Sequence, residues 1–181
     1  MAESVSVVAY DPDWPRRFEQ ERAVLAAVFG ESEAIIEHVG STAIPGLGAK
    51  PVIDILVGLS KLTEAEGLVA ALEAAGFEYV HKYESQLPER RYFRKPRLGS
   101  RAYHLHCVVK DSDFWVRHLA FRDYLREHPE AAAAYYELKR ELAVRCSKED
   151  YTNGKSPFIE AILATALGPG TAEHRVAPDG R

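Results

Sequence analysis

Apolar residues change along the chain from short uninterrupted runs to a helical spacing. The runs at 34–39 and 51–59 predict strands, and the second is apolar on both faces apart from Asp54. A run of that kind is typical of a central strand covered on both sides. Helical spacing predicts one helix over 13–29 and another that begins at Thr63, where Thr63 and Glu66 match a capping box.

The rest of the pattern predicts a hairpin and a helical C-terminal third. The remaining predicted elements are strands at 5–9 and 77–82, a hairpin of 91–95 with 103–110, and helices that begin near residues 113, 129 and 156. A mixed sheet followed by helices predicts one α/β (α+β) domain over 1–168. A flexible C-terminal tail is expected over 169–181, after the Gly168-Pro169-Gly170 sequence.

Composition narrows the class of protein. The chain has 181 residues and a net charge of −4, which disfavours a general nucleic-acid or anionic-membrane binder. Residues 1–10 lack the features of a signal peptide, and no apolar stretch is long enough to span a membrane. Two cysteines without metal-like spacing, Cys107 and Cys146, indicate free thiols. Together these features predict a cytoplasmic protein.

The richest chemistry lies between the two apolar strands. Gly40 allows close approach of the backbone, while Ser41 and Thr42 offer hydroxyls and amides to an anion such as phosphate. Lys50 adds a cation where the loop ends, and Asp54 could bind a divalent metal that bridges phosphates. The alternative is a tight connection followed by a buried, hydrogen-bonded acid.

The same stretch carries a resemblance. The sequence Glu-His-Val-Gly-Ser-Thr-Ala-Ile-Pro-Gly-Leu from Glu37, followed by Ala-Lys-Pro-Val-Ile-Asp-Ile, resembles the signature of the GrpB family. Further matching stretches lie at 10–18, 104–106, 119–126, 135–139 and 151–155. The similarity covers nearly all of the chain from Val5 to Leu167, in the same order.

The resemblance implies the polymerase-beta-like nucleotidyltransferase fold. In that superfamily a Gly-Ser loop holds a nucleoside triphosphate, and a pair of acids on the next strand binds Mg²⁺. Gly40, Ser41 and Asp54 match this pattern, but the position of the second acid is Leu56. One carboxylate is a weak anchor for two hard cations, so the departure puts a two-metal mechanism in doubt.

Several other side chains could complete the site. His104 and His106 share one strand face, and with Asp54 they could hold a softer divalent ion. The alternative is a hydrogen-bonded, half-buried strand face. Glu37 and His38 adjoin the loop, where each could act as a base or ligand, or could fix the loop by hydrogen bonds.

Basic residues form a third group of candidates. Six of them crowd the predicted hairpin: Arg90, Arg91, Arg94, Lys95, Arg97 and Arg101. They could clamp phosphates or single-stranded nucleic acid, or could be solvated charges that discourage edge pairing. Arg91 is the hairpin residue expected to bind substrate. In the helical part, the positions that resemble the family's and could grip a triphosphate or base are Arg122, Lys139, Tyr151 and Lys155.

Two functions follow from the resemblance. The first is a metal-dependent nucleotidyltransferase-like protein that binds a nucleotide at the Gly-Ser loop. Its cofactor would be a divalent metal, Mg²⁺ or Mn²⁺ in first place and Zn²⁺ as the alternative. The second is a non-catalytic nucleotide-binding or interaction module linked to coenzyme A metabolism, since family members occur joined to dephospho-CoA kinase. RNA binding depends on the basic hairpin alone and is disfavoured.

Overall fold

A five-stranded mixed sheet forms the centre of the fold, in a computed structural model that describes residues 6–30, 32–97, 100–145 and 148–168. The strands are β1 (Ile35–Val39), β2 (Ile53–Leu59), β3 (Glu78–Tyr79), β4 (Arg90–Arg97) and β5 (Ser100–Val109), in the spatial order β1-β2-β5-β4-β3. Only β2 and β5 pair in parallel, and the other neighbours are antiparallel. The two strands that carry Asp54 and His104 are therefore direct neighbours.

Seven helices surround this sheet in the described part of the chain. They are α1 (Trp14–Phe29), α2 (Thr63–Gly67), α3 (Val69–Ala74), α4 (Asp113–Glu127), α5 (Pro129–Arg145), α6 (Lys148–Asn153) and α7 (Ser156–Leu167). Ser112 caps α4, because its hydroxyl accepts a hydrogen bond from the amide of Trp115. Proline near the first positions of α1 and α7 suits a helix start, since its missing N–H would have no partner there.

Apolar packing covers both faces of β2. On one face, Ile53, Ile55 and Val57 are fully buried in a cluster with residues of α1 and α3. On the other face, Leu56 packs in a smaller cluster with Trp115 of α4. This double coverage confirms the prediction of a central strand. Asp54 is the polar exception in the strand, and it lies on the same face as Leu56, because side chains alternate along a strand.

The sequence predicted most of the elements in the right places, with four exceptions. Among the described residues of 5–9, only Val8 forms a β-bridge, to Ala49, so the predicted strand is wrong. The predicted capping box at Thr63 is also wrong, because Leu62 precedes the helix without a side-chain cap. The same helix also breaks at Leu68 into α2 and α3, so its missing cap and its break together make the second exception. The third is that only two residues of 77–82 form a strand.

The fourth exception is α6, a short helix before α7 that the apolar pattern did not indicate. Residues 169–181 and Cys146 lie outside the described residues, whereas Cys107 is a buried free thiol. Within the described ranges, no helix has both the length and the apolar character needed to cross a membrane.

Candidate functional site

A cavity of about 620 Å³ opens between the sheet and the C-terminal helices. Its lining combines the loop after β1, Asp54 of β2, two histidines of β5 and residues from α4 to α7. A cavity of this size lies in the usual range for small-molecule sites, about 300–1,000 Å³. It gathers residues between Val39 and Leu163 around one strand-loop-strand unit.

The loop between β1 and β2 is built around Gly40. This residue has φ of +71°, and the chain then makes a single 3₁₀ turn over Ser41–Ala43. The amide of Ala43 donates to the carbonyl of Gly40 at 3.2 Å, which closes the turn. A β-carbon at position 40 would come within 2.5 Å of Asp54 Oδ2, so the loop and the carboxylate can lie together only with glycine here.

Asp54, His104 and His106 form a tight cluster at the floor of the cavity. The parallel register places Asp54 opposite His104, and His106 follows two residues later on the same face. Oδ1 of Asp54 lies 3.1 Å from Nδ1 of His104 and 3.8 Å from Nε2 of His106. Burial alone would raise the pKa of Asp54, but the hydrogen bonds from the two histidines outweigh burial and keep that pKa well below its ordinary value.

Arg90 determines which ring nitrogen of His106 carries the proton. Its Nη1 lies 3.2 Å from Nδ1 of His106, and a guanidinium can only donate. Nδ1 of His106 therefore accepts, and the proton of the neutral ring sits on Nε2, which faces Asp54. Burial lowers the pKa of His106, in keeping with a neutral ring. Hydrogen bonds thus join Arg90 to His106 and His104 to Asp54, while Nε2 of His106 lies 3.8 Å from Asp54, beyond hydrogen-bond distance.

The same three side chains could hold a divalent ion, since their ligand atoms all lie within 4.8 Å of one another. The donor set is one carboxylate oxygen and two imidazole nitrogens. Imidazole suits Zn²⁺ and its neighbours among the transition metals, whereas Mg²⁺ prefers an octahedron of oxygens. Leu56 is fully buried in the apolar cluster with Trp115, so β2 supplies no second carboxylate. The residues present fit a transition metal better than Mg²⁺.

Lys139 joins helix α5 to the loop. Its Nζ donates to Ser41 Oγ at 3.0 Å and to the carbonyl of Gly48 at 2.6 Å, and only 2% of the residue is exposed. Burial, and to a smaller extent the charge of Lys155, lowers the pKa of Lys139 to about 7. This cavity-lining amine therefore changes its charge near neutral pH, unlike an ordinary lysine.

Two further lysines flank Tyr151. Nζ of Lys50 lies 4.5 Å from the centre of the Tyr151 ring, and Nζ of Lys155 lies 4.6 Å from it. Burial and the charge of Lys50 lower the pKa of Lys155, while Asp54 opposes that effect. Crowded ammonium groups in a cavity repel one another, so an anionic ligand there would relieve the repulsion.

Glu37, His38 and Arg122 lie behind the loop and line a second cavity of about 370 Å³ instead. Nη1 of Arg122 donates to Glu37 at 2.6 Å and to the carbonyl of His38 at 3.0 Å. The ring of His38 stacks on Phe18, and its Nε2 lies 3.0 Å from Thr42 Oγ1. Burial lowers the pKa of His38 to about 4. These contacts brace the loop from its far side.

Three of the basic residues of the hairpin pair with acids. Arg91 pairs with Glu66 at 2.8 Å, Arg94 forms an ion pair with Glu78, and Lys95 donates to Glu21 at 2.6 Å. Arg91 does not line the large cavity. The side chains of Arg97 and Arg101 lie outside the described residues. These ion pairs give the described part of the hairpin little free positive charge for a nucleic-acid strand.

Comparison with known proteins identifies the family. The family model described as GrpB protein matches residues 4–165. The chain belongs to the GrpB family. It is 39% identical over 169 residues to the UPF0157 protein PA4798 of Pseudomonas aeruginosa, covering 90% of this chain and 68% of that protein. It is 36% identical to the UPF0157 protein YqkA of Bacillus subtilis, of which it spans 47%.

A more distant relative carries a named activity. The chain is 30% identical to a dephospho-CoA kinase of Mycolicibacterium paratuberculosis, covering 86% of this chain and 44% of that protein. The chain therefore spans less than half of both this kinase and the Bacillus relative.

Solved structures confirm the predicted fold. The crystal structure of the conserved protein GrpB from Enterococcus faecalis superposes with a TM-score of 0.80 at 39% identity, covering 90% of this chain and 97% of that one. A structure of the Cid1 poly(U) polymerase with Mg and 3′-dATP bound gives a TM-score of 0.50 at 11% identity, covering 74% of this chain and 41% of that one. The fold is that of the polymerase-beta-like nucleotidyltransferases.

Some residues of this GrpB-family cavity were not singled out from the sequence. His118 and Tyr135 line the cavity. Arg90 was singled out only as one of six basic hairpin residues, and its contact with the metal-type cluster through His106 was not predicted. The alternation of β4 offered a signal for Arg90, because it puts Arg90 and Tyr92 on one face. His118 belongs to the apolar stripe of α4, and nothing in its spacing distinguishes it from a core residue.

Proposed function

We infer that this chain binds a nucleotide together with a divalent metal in the 620 Å³ cavity and transfers a nucleotidyl group to an acceptor. The observation that carries the proposal is the meeting of three features in one cavity. These are the Gly40 loop, the Asp54 cluster and the lysines at 50, 139 and 155. The family has the nucleotidyltransferase fold, but fold alone does not fix activity. Nucleotidyl transfer is therefore inferred from the presence of these three features together in a cavity of that fold.

The charge of the cavity supports a phosphate-bearing ligand. Two carboxylates occur among its lining residues, Asp54 and Glu160, and Glu160 forms an ion pair with Arg117. Three lysines therefore face one remaining carboxylate. A polyphosphate would balance this excess, and its charge would be screened little inside a partly enclosed cavity.

Each residue of the proposed site has a distinct part. Ser41 and Thr42 would offer hydroxyls and amides to phosphate oxygens, as backbone turns of this kind do at anion sites. Lys50, Lys139 and Lys155 would neutralise phosphate charge, and Tyr151 would hold two of these lysines in place. Asp54 would anchor the metal, whose chemistry is to polarise phosphoryl oxygens. Catalysis of this type is mainly positioning and electrostatic stabilisation.

Three residues that the sequence put forward as candidates are not part of this site. Arg91, Arg122 and Glu37 are tied up in ion pairs and lie outside the lining of the large cavity. His38 contributes through Thr42, which it contacts from behind the loop. The proposed part of His38, Glu37 and Arg122 is therefore to position the loop.

A non-catalytic binding module is the second candidate. The replacement of the second acid by the buried Leu56 favours it, as does the contact of Arg90 with His106, which places a positive charge beside the candidate metal ligands. Similarity to part of a dephospho-CoA kinase makes nucleotide-like portions of coenzyme A reasonable ligands to test.

A thermal-shift panel separates the two candidates. It uses ATP, GTP, CTP, UTP, dephospho-CoA and CoA, each with Mg²⁺, Mn²⁺ or Zn²⁺, on wild type, Asp54→Asn and the matched surface control Asp13→Asn. A ligand at about 100 times its dissociation constant should stabilise the native state by about 2.7 kcal/mol.

We expect a metal-dependent shift in wild type and in Asp13→Asn that is lost in Asp54→Asn. Turnover of the stabilising nucleotide then supports the transferase, whereas tight binding without turnover supports the module. If no nucleotide or coenzyme A compound shifts the midpoint under any metal condition, both proposals are wrong.

A further inference from the structure

We propose that Asp54, His104 and His106 form a mononuclear site for a first-row transition-metal dication, such as Zn²⁺ or Mn²⁺, and that Arg90 limits its affinity. This inference rests on the proposed function only in taking Asp54 as a metal ligand. It goes further in assigning the class of ion, the number of ions and a residue that opposes binding.

The geometry argues for one ion. All three ligand atoms lie within 4.8 Å of one another, so small side-chain movements would bring them to a single ion. A second ion would need a further carboxylate, but Leu56 occupies the next inward-facing position of β2 and is 0% exposed. Three protein ligands leave further coordination positions open, and this is the pattern of catalytic rather than structural zinc sites.

The donor set argues for a transition metal. Two of its three ligands are imidazoles, which suit Zn²⁺ and the later first-row transition metals, whereas Mg²⁺ dehydrates reluctantly and takes oxygen ligands. His104 is the more adaptable of the two, because 29% of its side chain is exposed. The exposure of the His106 side chain is 14%, and this ring packs against Tyr92 and Phe114.

Arg90 opposes metal binding for two reasons. A metal on Nε2 of His106 requires the proton on Nδ1, but Nδ1 lies 3.2 Å from the donor group of Arg90. The guanidinium must therefore turn away before the ion binds. Its positive charge also repels a dication bound to the same imidazole ring. Both effects weaken metal binding, so removal of Arg90 should strengthen it.

Isothermal titration of the metal-free full chain tests the site without any nucleotide. Zn²⁺, Mn²⁺, Co²⁺ and Mg²⁺ are added to wild type, to His104→Ala, to His106→Ala and to the control His128→Ala. His128 stacks on Tyr124 away from the cavity. All proteins carry Cys146→Ser, which removes one thiol that could bind Zn²⁺.

We expect one Zn²⁺ per chain in wild type and in His128→Ala, with Mg²⁺ bound roughly 100-fold more weakly or worse. Each of the two cavity variants should lose on the order of 100-fold in Zn²⁺ affinity. Equal Zn²⁺ binding in wild type and both variants, or equal affinity for Mg²⁺ and Zn²⁺, overturns the proposal.

Two further variants keep the test sharp if His106→Ala does not fold. His104→Asp changes the partly exposed imidazole into a second carboxylate, so the ratio of Zn²⁺ to Mg²⁺ affinity should fall by about tenfold or more. Arg90→Met retains much of the side-chain volume and should bind Zn²⁺ several-fold more tightly. An unchanged ratio in the first variant, or weaker binding in the second, counts against the assignment.

The outcome is separable from that of the proposed function. One Zn²⁺ bound at the three ligands, without any nucleotide-induced shift, supports the metal site and removes the transferase. A nucleotide shift that needs Mg²⁺ and is unaffected by His104→Ala keeps the transferase and overturns the transition-metal site.

Discussion

A β-carbon on residue 40 would lie 2.5 Å from Oδ2 of Asp54, which is closer than real β-carbons approach other atoms. The loop and the Asp54 carboxylate can therefore lie this close together only because residue 40 has no side chain. Gly40 also has φ of +71°, where other residues are strained.

Gly40→Ala should both destabilise the protein and displace the Asp54 carboxylate. The matched control is Gly46→Ala, because Gly46 has φ of +78° and a β-carbon added there would meet nothing within 4 Å. The control should lose about 1–2 kcal/mol of unfolding free energy from backbone strain alone. Gly40→Ala should lose more than the control and should also lose metal-dependent ligand binding. Urea denaturation and thermal shift measure both, and equal effects of the two variants would refute the close fit.

Lys139→Met should weaken the binding of phosphate ligands in a pH-dependent way. The pKa of Lys139 is lowered to about 7, so its charge is present below that pH and is lost above it. Affinity for an anionic ligand in wild type should therefore fall as the pH rises through about 7. The methionine variant keeps only the pH dependence of the ligand itself, so its affinity curve should be flatter. Binding curves that remain parallel across this range would exclude Lys139 as the phosphate contact.

His38→Gln should reduce the dependence of stability on pH in mildly acidic solution. The pKa of His38 is about 4 in the folded protein, lowered by burial from 6.5, so between these values the unfolded chain binds more protons. The contribution of the neutral His38 ring to the free energy of unfolding is fully present above about pH 6.5 and is lost as the pH falls to 4. The difference amounts to about 3 kcal/mol.

Urea denaturation at several pH values measures the effect of His38→Gln. Burial lowers the pKa of His118 to about 4 as well, so the two histidines should contribute about equally to the slope of unfolding free energy against pH. His38→Gln should therefore remove about half of their joint contribution. A slope equal to that of wild type would show that His38 is not a buried neutral ring.

Arg122→Gln should lower stability without removing ligand binding in the large cavity. Arg122 is 8% exposed and donates to Glu37 and to the carbonyl of His38, so its loss leaves buried acceptors unpaired. We expect a cost of about 1–3 kcal/mol. In a double-mutant cycle with Glu37→Gln, the two changes should be clearly non-additive. Loss of ligand binding with unchanged stability would instead make Arg122 a ligand contact, as the sequence suggested.

The strand-loop-strand unit could be predicted because its signals are local. The apolar run around Asp54 identified the buried strand, and the period of two placed His104 and His106 on one face. The distance between Asp54 and His104 could not be predicted, because parallel pairing of strands 50 residues apart leaves no local pattern. The resemblance to the family supplied that relationship.

The roles of the candidate residues on α4 and α5 depend on how each helix is rotated about its own axis against the sheet. No local sequence pattern reveals that rotation. Lys139 and Arg122 both matched family positions, yet Lys139 reaches into the cavity and Arg122 points behind the loop. The direction of each follows from how α4 and α5 pack on the sheet. Long side chains such as these can cover polar or apolar surface equally well, so hydrophobic spacing does not reveal where their ends lie.

The hydrogen bond from Lys139 to Ser41 has a consequence for the order in which the cavity is completed during protein synthesis. The two residues are 98 positions apart. A growing chain that already contains both histidines of β5 still lacks the ammonium group that secures the loop. The three candidate metal ligands are therefore synthesised before Lys139, which belongs to the side of the cavity proposed to bind phosphate. If the proposed function is correct, a nascent chain would contain its metal ligands before it contains all of the lysines proposed to bind the anion.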